Sequence, residues 1–290
     1  MYFTDPKSIS AFYKESSYGL LALTGIVAGP YVVALGSDWT PASVASQADA
    51  AASAAGINLA DYAQRVYIVP KEADPMPIQS AWGGTTMGTR SQFWVRDYWC
   101  SSRWLAAHEL GHNFGLNHAS TPADGYGDFS SPMGGRVDPS SDPATWNQVS
   151  HFNIAEKISL GWIPENAVRT VDMSARFRVA PVETVPAAEQ VQALKIKGAN
   201  DGTDHYYISY RQALGFSSVL TPQYVGTTSI TRWNGRVGSK TCLLANLADG
   251  QAFVDTSGIM ITQTSHNVTQ ATITVTFGAA SIENARVICP

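Results

Sequence analysis

The sequence predicts an α+β protein in two parts, a helix-and-strand domain over residues 1–164 and an all-β sandwich over residues 165–290. Two changes of pattern carry that reading. Up to about residue 164 capped helical runs alternate with short strands, and beyond it only short alternating segments separated by turn clusters remain. Between them, Gly161-Trp162-Ile163-Pro164 sets a glycine and a proline just past a helical run, a boundary signal. A chain of 290 residues can bury two cores.

The elements follow in order. Pro6–Ser16 reads as a short helix. Ser16–Ser37 carries no charge but is broken by Gly19, Gly25, Gly29, Pro30 and Gly36, so it reads as two buried strands, Leu20–Val27 and Tyr31–Ala34, rather than a membrane span. Thr40-Pro41 opens an alanine-rich helix to about Ala55, with Pro41 at the first helical position and Gly56 as its stop. Arg65–Pro70, Ala81–Met87 and Gln92–Val95 read as strands. Ser101 or Ser102 caps a helix that ends near Phe114, and Phe152–Leu160 forms a further helix. In the second part Phe177–Val182, Gln190–Ile196, Tyr206–Tyr210 and Ala271–Phe277 alternate as strands of a sandwich.

The charged fraction is 14% and the formal net charge −4, which argues against broad affinity for nucleic acid or anionic membranes. Glycine, tryptophan, tyrosine and hydroxylated residues are plentiful, as in β-rich extracellular proteins. Residues 1–15 carry both charge signs and no apolar core, so no signal peptide stands at Met1. The three cysteines are Cys100, Cys242 and Cys289. In an exported protein a Cys242–Cys289 bridge would staple the second domain and leave Cys100 free; the alternative is that all three are reduced. Asn267-Val268-Thr269 is a glycosylation sequon, of use only in a eukaryotic source.

The chemistry is concentrated in residues 108–118, His-Glu-Leu-Gly-His-Asn-Phe-Gly-Leu-Asn-His. On a helix, His108 and His112 differ by only ~40° around the axis and ~6 Å along it, so both rings can converge on one ion. Glu109 sits one step round, close to the metal but free not to ligate it, where a general base for a metal-bound water belongs. His118 would point ~240° away from His112 on a continuing helix. Gly115 removes that obstacle, because glycine ends helices in the left-handed conformation and lets the chain return His118 as third ligand. Three protein ligands leave a fourth position for water, the pattern of a catalytic zinc site. The bland reading, a helix whose histidines bind nothing, has to explain five fixed identities whose chance frequency is ~10⁻⁷ per window.

This run resembles the metzincin zinc peptidases, whose signature is HExxHxxGxxH followed by a Met-turn. Asp128-Phe129-Ser130-Ser131-Pro132-Met133-Gly134-Gly135 supplies the candidate turn, with Met133 as a soft apolar floor under the metal. Within that group the chain is most similar to the gametolysin-type (M11) peptidases. That match rests on the zinc run continued by Ala119, on Ser-Ser-Pro-Met-Gly, on Phe152-Asn153 and Leu160-Gly161-Trp162, and more thinly on Ser17-Tyr18-Gly19, Trp82-Gly83-Gly84 and Tyr206–Arg211. The resemblance implies a twisted mixed sheet with a long zinc-binding helix as the catalytic domain. It implies one catalytic Zn²⁺ held by His108, His112 and His118, with Glu109 as general base. It implies a monomeric, secreted endopeptidase acting on extracellular, cell-wall or matrix proteins, and a mature chain to which Met1 has been added. It also implies that an edge strand before the zinc helix pairs with substrate backbone by β-augmentation, for which Ala81–Thr86 is the candidate; an ordinary sheet strand is the alternative.

Other readings stay open. A non-catalytic binding or adhesion protein could be built on a protease-like zinc domain. Calcium at Asn200–Asp204 competes with a plain hairpin turn there, and at Asp124–Asp128 an ion site competes with support of the Met-turn. Many metzincins use a tyrosine to stabilise the oxyanion, but none closely follows Met133, so that role passes to no residue here. The primed-side pocket is expected from Gly134–Val149.

Overall fold

The computed structural model describes residues 1–34, 40–70, 81–87, 90–137, 143–198 and 204–278. Its first helix, α1 (Ile9–Ser16), begins at Ile9 rather than Pro6 because the Ser8 side chain accepts from the Ala11 N–H at 3.1 Å and so caps it. It buries Ile9, Phe12 and Tyr13. After it the chain departs from expectation. Residues 21–34 form no strand, and Leu20, Val27 and Val32 are exposed (68, 86 and 100%) where two buried strands were expected. The glycines and Pro30 interrupt any ladder. Leu23 is held by a side chain instead, its N–H donating to Ser10 Oγ and its C=O accepting from it at 3.1 and 2.6 Å.

Helix α2 (Pro41–Ala54) has a capping box between Thr40 and Ser43, with Pro41 in its first turn. Strands β1 (Gln64–Val69), β2 (Ala81–Met87) and β3 (Arg90–Arg96) make a mixed sheet in the order β1-β3-β2. β1 runs parallel to β3, and β2 is an antiparallel edge strand. Helix α3 (Arg103–Asn113), capped by Ser102 Oγ on Leu105 N at 3.2 Å, packs against β2 and β3. Tyr13 ties α1 to it by donating its hydroxyl to Ala107 O at 2.8 Å. Helix α4 (Ile154–Ser159) starts two residues later than expected because Asn153 is its cap, in a capping box with Glu156.

Strand β4 (Ala119–Ser120) leaves the first part of the chain for a sheet built otherwise from the second. Its companions are β5 (Val168–Thr170), β7 (Ala193–Lys197), β8 (His205–Arg211), β9 (Thr227–Trp233) and β10 (Thr241–Leu247), in the order β4-β10-β9-β8-β7-β5. A four-stranded antiparallel sheet comprises β6 (Ala175–Val179), β11 (Ala252–Val254), β12 (Ile259–Asn267) and β13 (Gln270–Phe277), ordered β11-β12-β13-β6. Inward residues of both sheets, among them Leu194, Ile208, Ile230, Ile261, Ile273 and Val275, meet in one core. A separate core gathers α1, α3 and the residues after it, with Phe12, Tyr13, Phe93, Leu110, Met133 and Phe152 buried together. The fold is mixed α+β, as expected. No described helix is long and apolar enough to cross a membrane.

Cys100 is a free, half-buried thiol. Cys242 is buried in β10, and its expected partner Cys289 lies outside the described residues. Residues 200–203 of the candidate calcium loop and 138–142 of the expected primed-side loop also lie outside them.

Candidate metal centre

Helix α3 places His108 and His112 one turn apart, and the backbone leaves the helix at Phe114 and Gly115. Gly115 has φ +92°, the left-handed conformation that the spacing demands. The chain reverses there, and His118 joins the other two. One ligand-capable atom from each of His108, His112 and His118 lies within 4.8 Å of the others.

The ring orientations are set from behind. His108 Nδ1 bonds the carbonyl of Pro132 at 2.8 Å, and His112 Nδ1 bonds that of Leu116 at 2.9 Å. A carbonyl only accepts, so each Nδ1 carries the proton and each Nε2 presents its lone pair. The two Nε2 atoms stand 3.1 Å apart, facing each other with no proton to share. Imidazole nitrogens converging in this way, with carbonyls fixing their tautomers, fit a zinc ion in donor type and number.

Electrostatics favour the same state. Burial, then the neighbouring His112 and His118, pushes His108 down to about 3, against the opposing pull of the Pro132 carbonyl. Burial, then His112 and Lys240, pushes His118 down to about 4, and His112 is lowered chiefly by burial. The trio is therefore neutral at neutral pH, the form that binds a cation. Glu109, 6% exposed, follows His108 on the helix.

Met133 packs against Gly111 of α3, between His108 and His112 in the chain. It is fully buried, and a Cβ added to Gly111 would sit 2.4 Å from its sulfur, so only glycine at 111 lets the two approach. The turn around it is braced on several sides. Ala119 N donates to Met133 O at 2.9 Å, Met133 N to Ser131 Oγ at 3.1 Å, and Ser131 Oγ to the buried Glu156 carboxyl at 2.6 Å. Asp128 is buried and accepts from Ser130 N and Oγ and from Asn153 Nδ2, so this carboxylate serves the turn.

Three neighbours were given no role from the sequence. Tyr126 lays its ring 4.1 Å from that of His118 and 6.0 Å from that of His108, with burial and the Glu109 carboxylate raising its phenol. Trp104, one turn before His108, has its ring 5.4 Å away; the i, i+4 spacing could have signalled it. Arg211 reaches in from β8. Its guanidinium donates to Ser130 O and Oγ at 2.9 and 3.2 Å, to His151 O at 3.2 Å, and pairs with Glu183 at 2.8 Å, all buried.

With this geometry in view, comparison with known families returns one result. The family model of gametolysin peptidase M11 matches residues 8–242. Searches of the curated proteins and of the solved structures return no significant match.

Proposed function

Because the chain belongs to the gametolysin peptidase M11 family, we propose that it is a secreted zinc endopeptidase, with His108, His112 and His118 as metal ligands and Glu109 as general base. The observation that carries this reading is the convergence of three imidazoles, two of them on the helix that also bears Glu109 with their Nδ1 atoms pinned to carbonyls, and the third brought back after Gly115. A zinc ion held there supplies Lewis-acid polarisation of the scissile carbonyl and lowers the pKa of a bound water towards ~7.

The protein's own residues do the rest. Glu109 takes the proton of the attacking water and returns it to the leaving amine, so the reaction needs no covalent intermediate. Gly115 and the Pro132 and Leu116 carbonyls keep the ligands in place before substrate arrives. Strand β2 lies at the edge of its sheet and against α3, so its outer hydrogen-bonding groups suit an extended substrate backbone. Substrates are extracellular, cell-wall or matrix proteins.

Glu109→Gln, loaded with zinc to one equivalent, is expected to lose at least ~10²-fold in casein hydrolysis while keeping its metal, since general-base catalysis contributes 10²–10⁴-fold. Metal content by atomic absorption and activity are read on the same sample. Full activity in the zinc-replete variant overturns the mechanism. A zinc-replete native chain that cleaves no peptide is a binding protein instead.

A further inference from the structure

The segment after α1 is fastened at its start and then let go. Leu21 N donates to Ser17 Oγ at 2.8 Å, and Leu23 is bonded through its N–H and its C=O to Ser10 Oγ. From Thr24 to Ala34 the chain makes no hydrogen bond among the described residues, and its course shows neither turn nor bend. All of these residues but Tyr31 and Val33 are exposed, Ile26, Val27 and Val32 to 53, 86 and 100%. The Phe3 ring lies against Gly25. Exposed turns elsewhere are tied across. Asn234 Oδ1 accepts from Arg236 N and Ser239 Oγ, and Asn267 Oδ1 from Thr269 N and Gln270 N.

A peptidase cleft takes backbone in extended form, its N–H and C=O groups completing a ladder with an edge strand. A folded protein is cut where no bonds of its own must first be broken. Thr24–Ala34 meets both conditions. It is unbent, its backbone groups are unpaired, and it carries no charge, so it can enter a cleft without stripping water from an ion. Strand β2 offers the matching edge beside α3.

Resting on the peptidase reading above, we propose that Thr24–Ala34 is a cleavage site for a second copy of this enzyme, and that the cut yields a two-chain protein with α1 still in place. One water is consumed. The scissile C–N bond breaks, the carbonyl carbon keeps the water oxygen as a carboxylate, and the nitrogen departs as an ammonium carrying both water protons. Retention of α1 follows from the contacts on the N-terminal side of the cut. Ile9, Phe12 and Tyr13 are fully buried, and Tyr13 donates to Ala107 O at 2.8 Å. Tyr18 accepts from Lys157 Nζ at 2.9 Å, and Glu15 accepts from Phe216 N at 2.7 Å and bonds His151 Nε2 at 2.9 Å. These contacts join the fragment to the rest of the fold without using the covalent link.

The test uses zinc-loaded Glu109→Gln as substrate, in excess over a trace of zinc-loaded native protein, so that any cut is made between molecules. Products are read by mass spectrometry and N-terminal sequencing, and casein hydrolysis is measured on the same native sample. The first new terminus should fall within Thr24–Ala34. The cut protein should show two chains on a denaturing gel and one species, at the uncut volume, on size exclusion. Adding Val27→Pro and Val32→Pro to the substrate should leave its unfolding midpoint unchanged, since neither residue has a bond to lose, and should slow the cut by about tenfold as N–H groups are removed from the ladder with β2. Casein hydrolysis with the substrate chain left intact, or first cut elsewhere, overturns the proposal, as does release of the α1 fragment on size exclusion. If the native protein hydrolyses neither casein nor the substrate chain, the peptidase reading itself fails and takes the proposal with it.

Discussion

Gly115 shows how much one backbone angle carries. At φ +92° it allows the chain to leave α3 and return His118 to the face it had just left. An L-residue in the left-handed region costs about 1–2 kcal/mol, less for asparagine, whose short polar side chain tolerates it. Gly115→Ala is expected to lower the urea unfolding free energy by about that amount and to weaken zinc binding, with Gly115→Asn intermediate in both. Equal stability and zinc affinity for alanine and glycine would refute the role. This angle was legible in the sequence, because His112 and His118 are six residues apart and no continuous helix reconciles that spacing with one metal. The convergence of the three histidines was legible for the same reason, since their relation is local. Tyr126 was not, because the turns that fold its ring onto His118 leave no periodic trace in the sequence.

Among the elements, α4 and the Met133 turn are coupled through one buried carboxyl. Glu156 Oε2 accepts from Asn153 N at 2.9 Å, closing the helix cap, and from Ser131 Oγ at 2.6 Å, holding the turn, while Oε1 has no hydrogen-bond partner among the described residues. Burial, and secondarily the Asp128 carboxylate, raises Glu156 from 4.5 to about 8, against the lowering effect of the Ser131 hydrogen bond. The folded state therefore binds a proton that the unfolded chain releases near its ordinary value. The associated stability is fully present below about pH 4.5 and is lost as pH rises through about 8. In Glu156→Gln the group no longer titrates. The unfolding free energy of the native protein minus that of the variant should fall across this window, by at most ~1.4 kcal/mol per pH unit. Denaturant titrations at pH 5, 6, 7 and 8 measure it, and a flat difference would refute the assignment. Capping chemistry also explains which elements the sequence disclosed. Pro41–Ala54, Arg103–Asn113 and Ile154–Ser159 each follow directly on a residue, Thr40, Ser102 or Asn153, whose side chain accepts a backbone N–H. Residues 20–34 misled because an uncharged run signals burial only where a partner strand completes the ladder, and Ser10 supplies the bonds at Leu23 instead.

Across the whole molecule, the C-terminal strands are joined to the metal centre. β4, directly after His118, is an edge of the six-stranded sheet, and Arg211 of β8 donates to the turn that carries Met133 from a residue 81 positions away in the chain. No local pattern encodes a contact at that separation, and an arginine on an alternating strand reads from sequence as solvent-facing. In the fold Arg211 is 1% exposed, and its partner Glu183 accepts from Arg211 Nε and from Gln212 N at 2.8 and 3.0 Å. Removing one member of such a pair strands the other charge in the interior, at a cost of about 3–5 kcal/mol, whereas removing both avoids that cost. Arg211→Met is therefore expected to destabilise the protein by about that amount, and Glu183→Gln by a smaller one because its amide still accepts from Gln212 N. The double variant should be more stable than the sum of the two predicts. Zinc affinity separates the two jobs of the guanidinium. Arg211→Met and the double variant both lose the bonds to Ser130, so both should bind zinc more weakly than the native chain even where the double variant has regained stability. Competition with a chromophoric chelator on the folded fraction reads that directly. Native zinc affinity in the double variant would show that Arg211 serves the ion pair alone and that the Met133 turn holds its position without the C-terminal sheet.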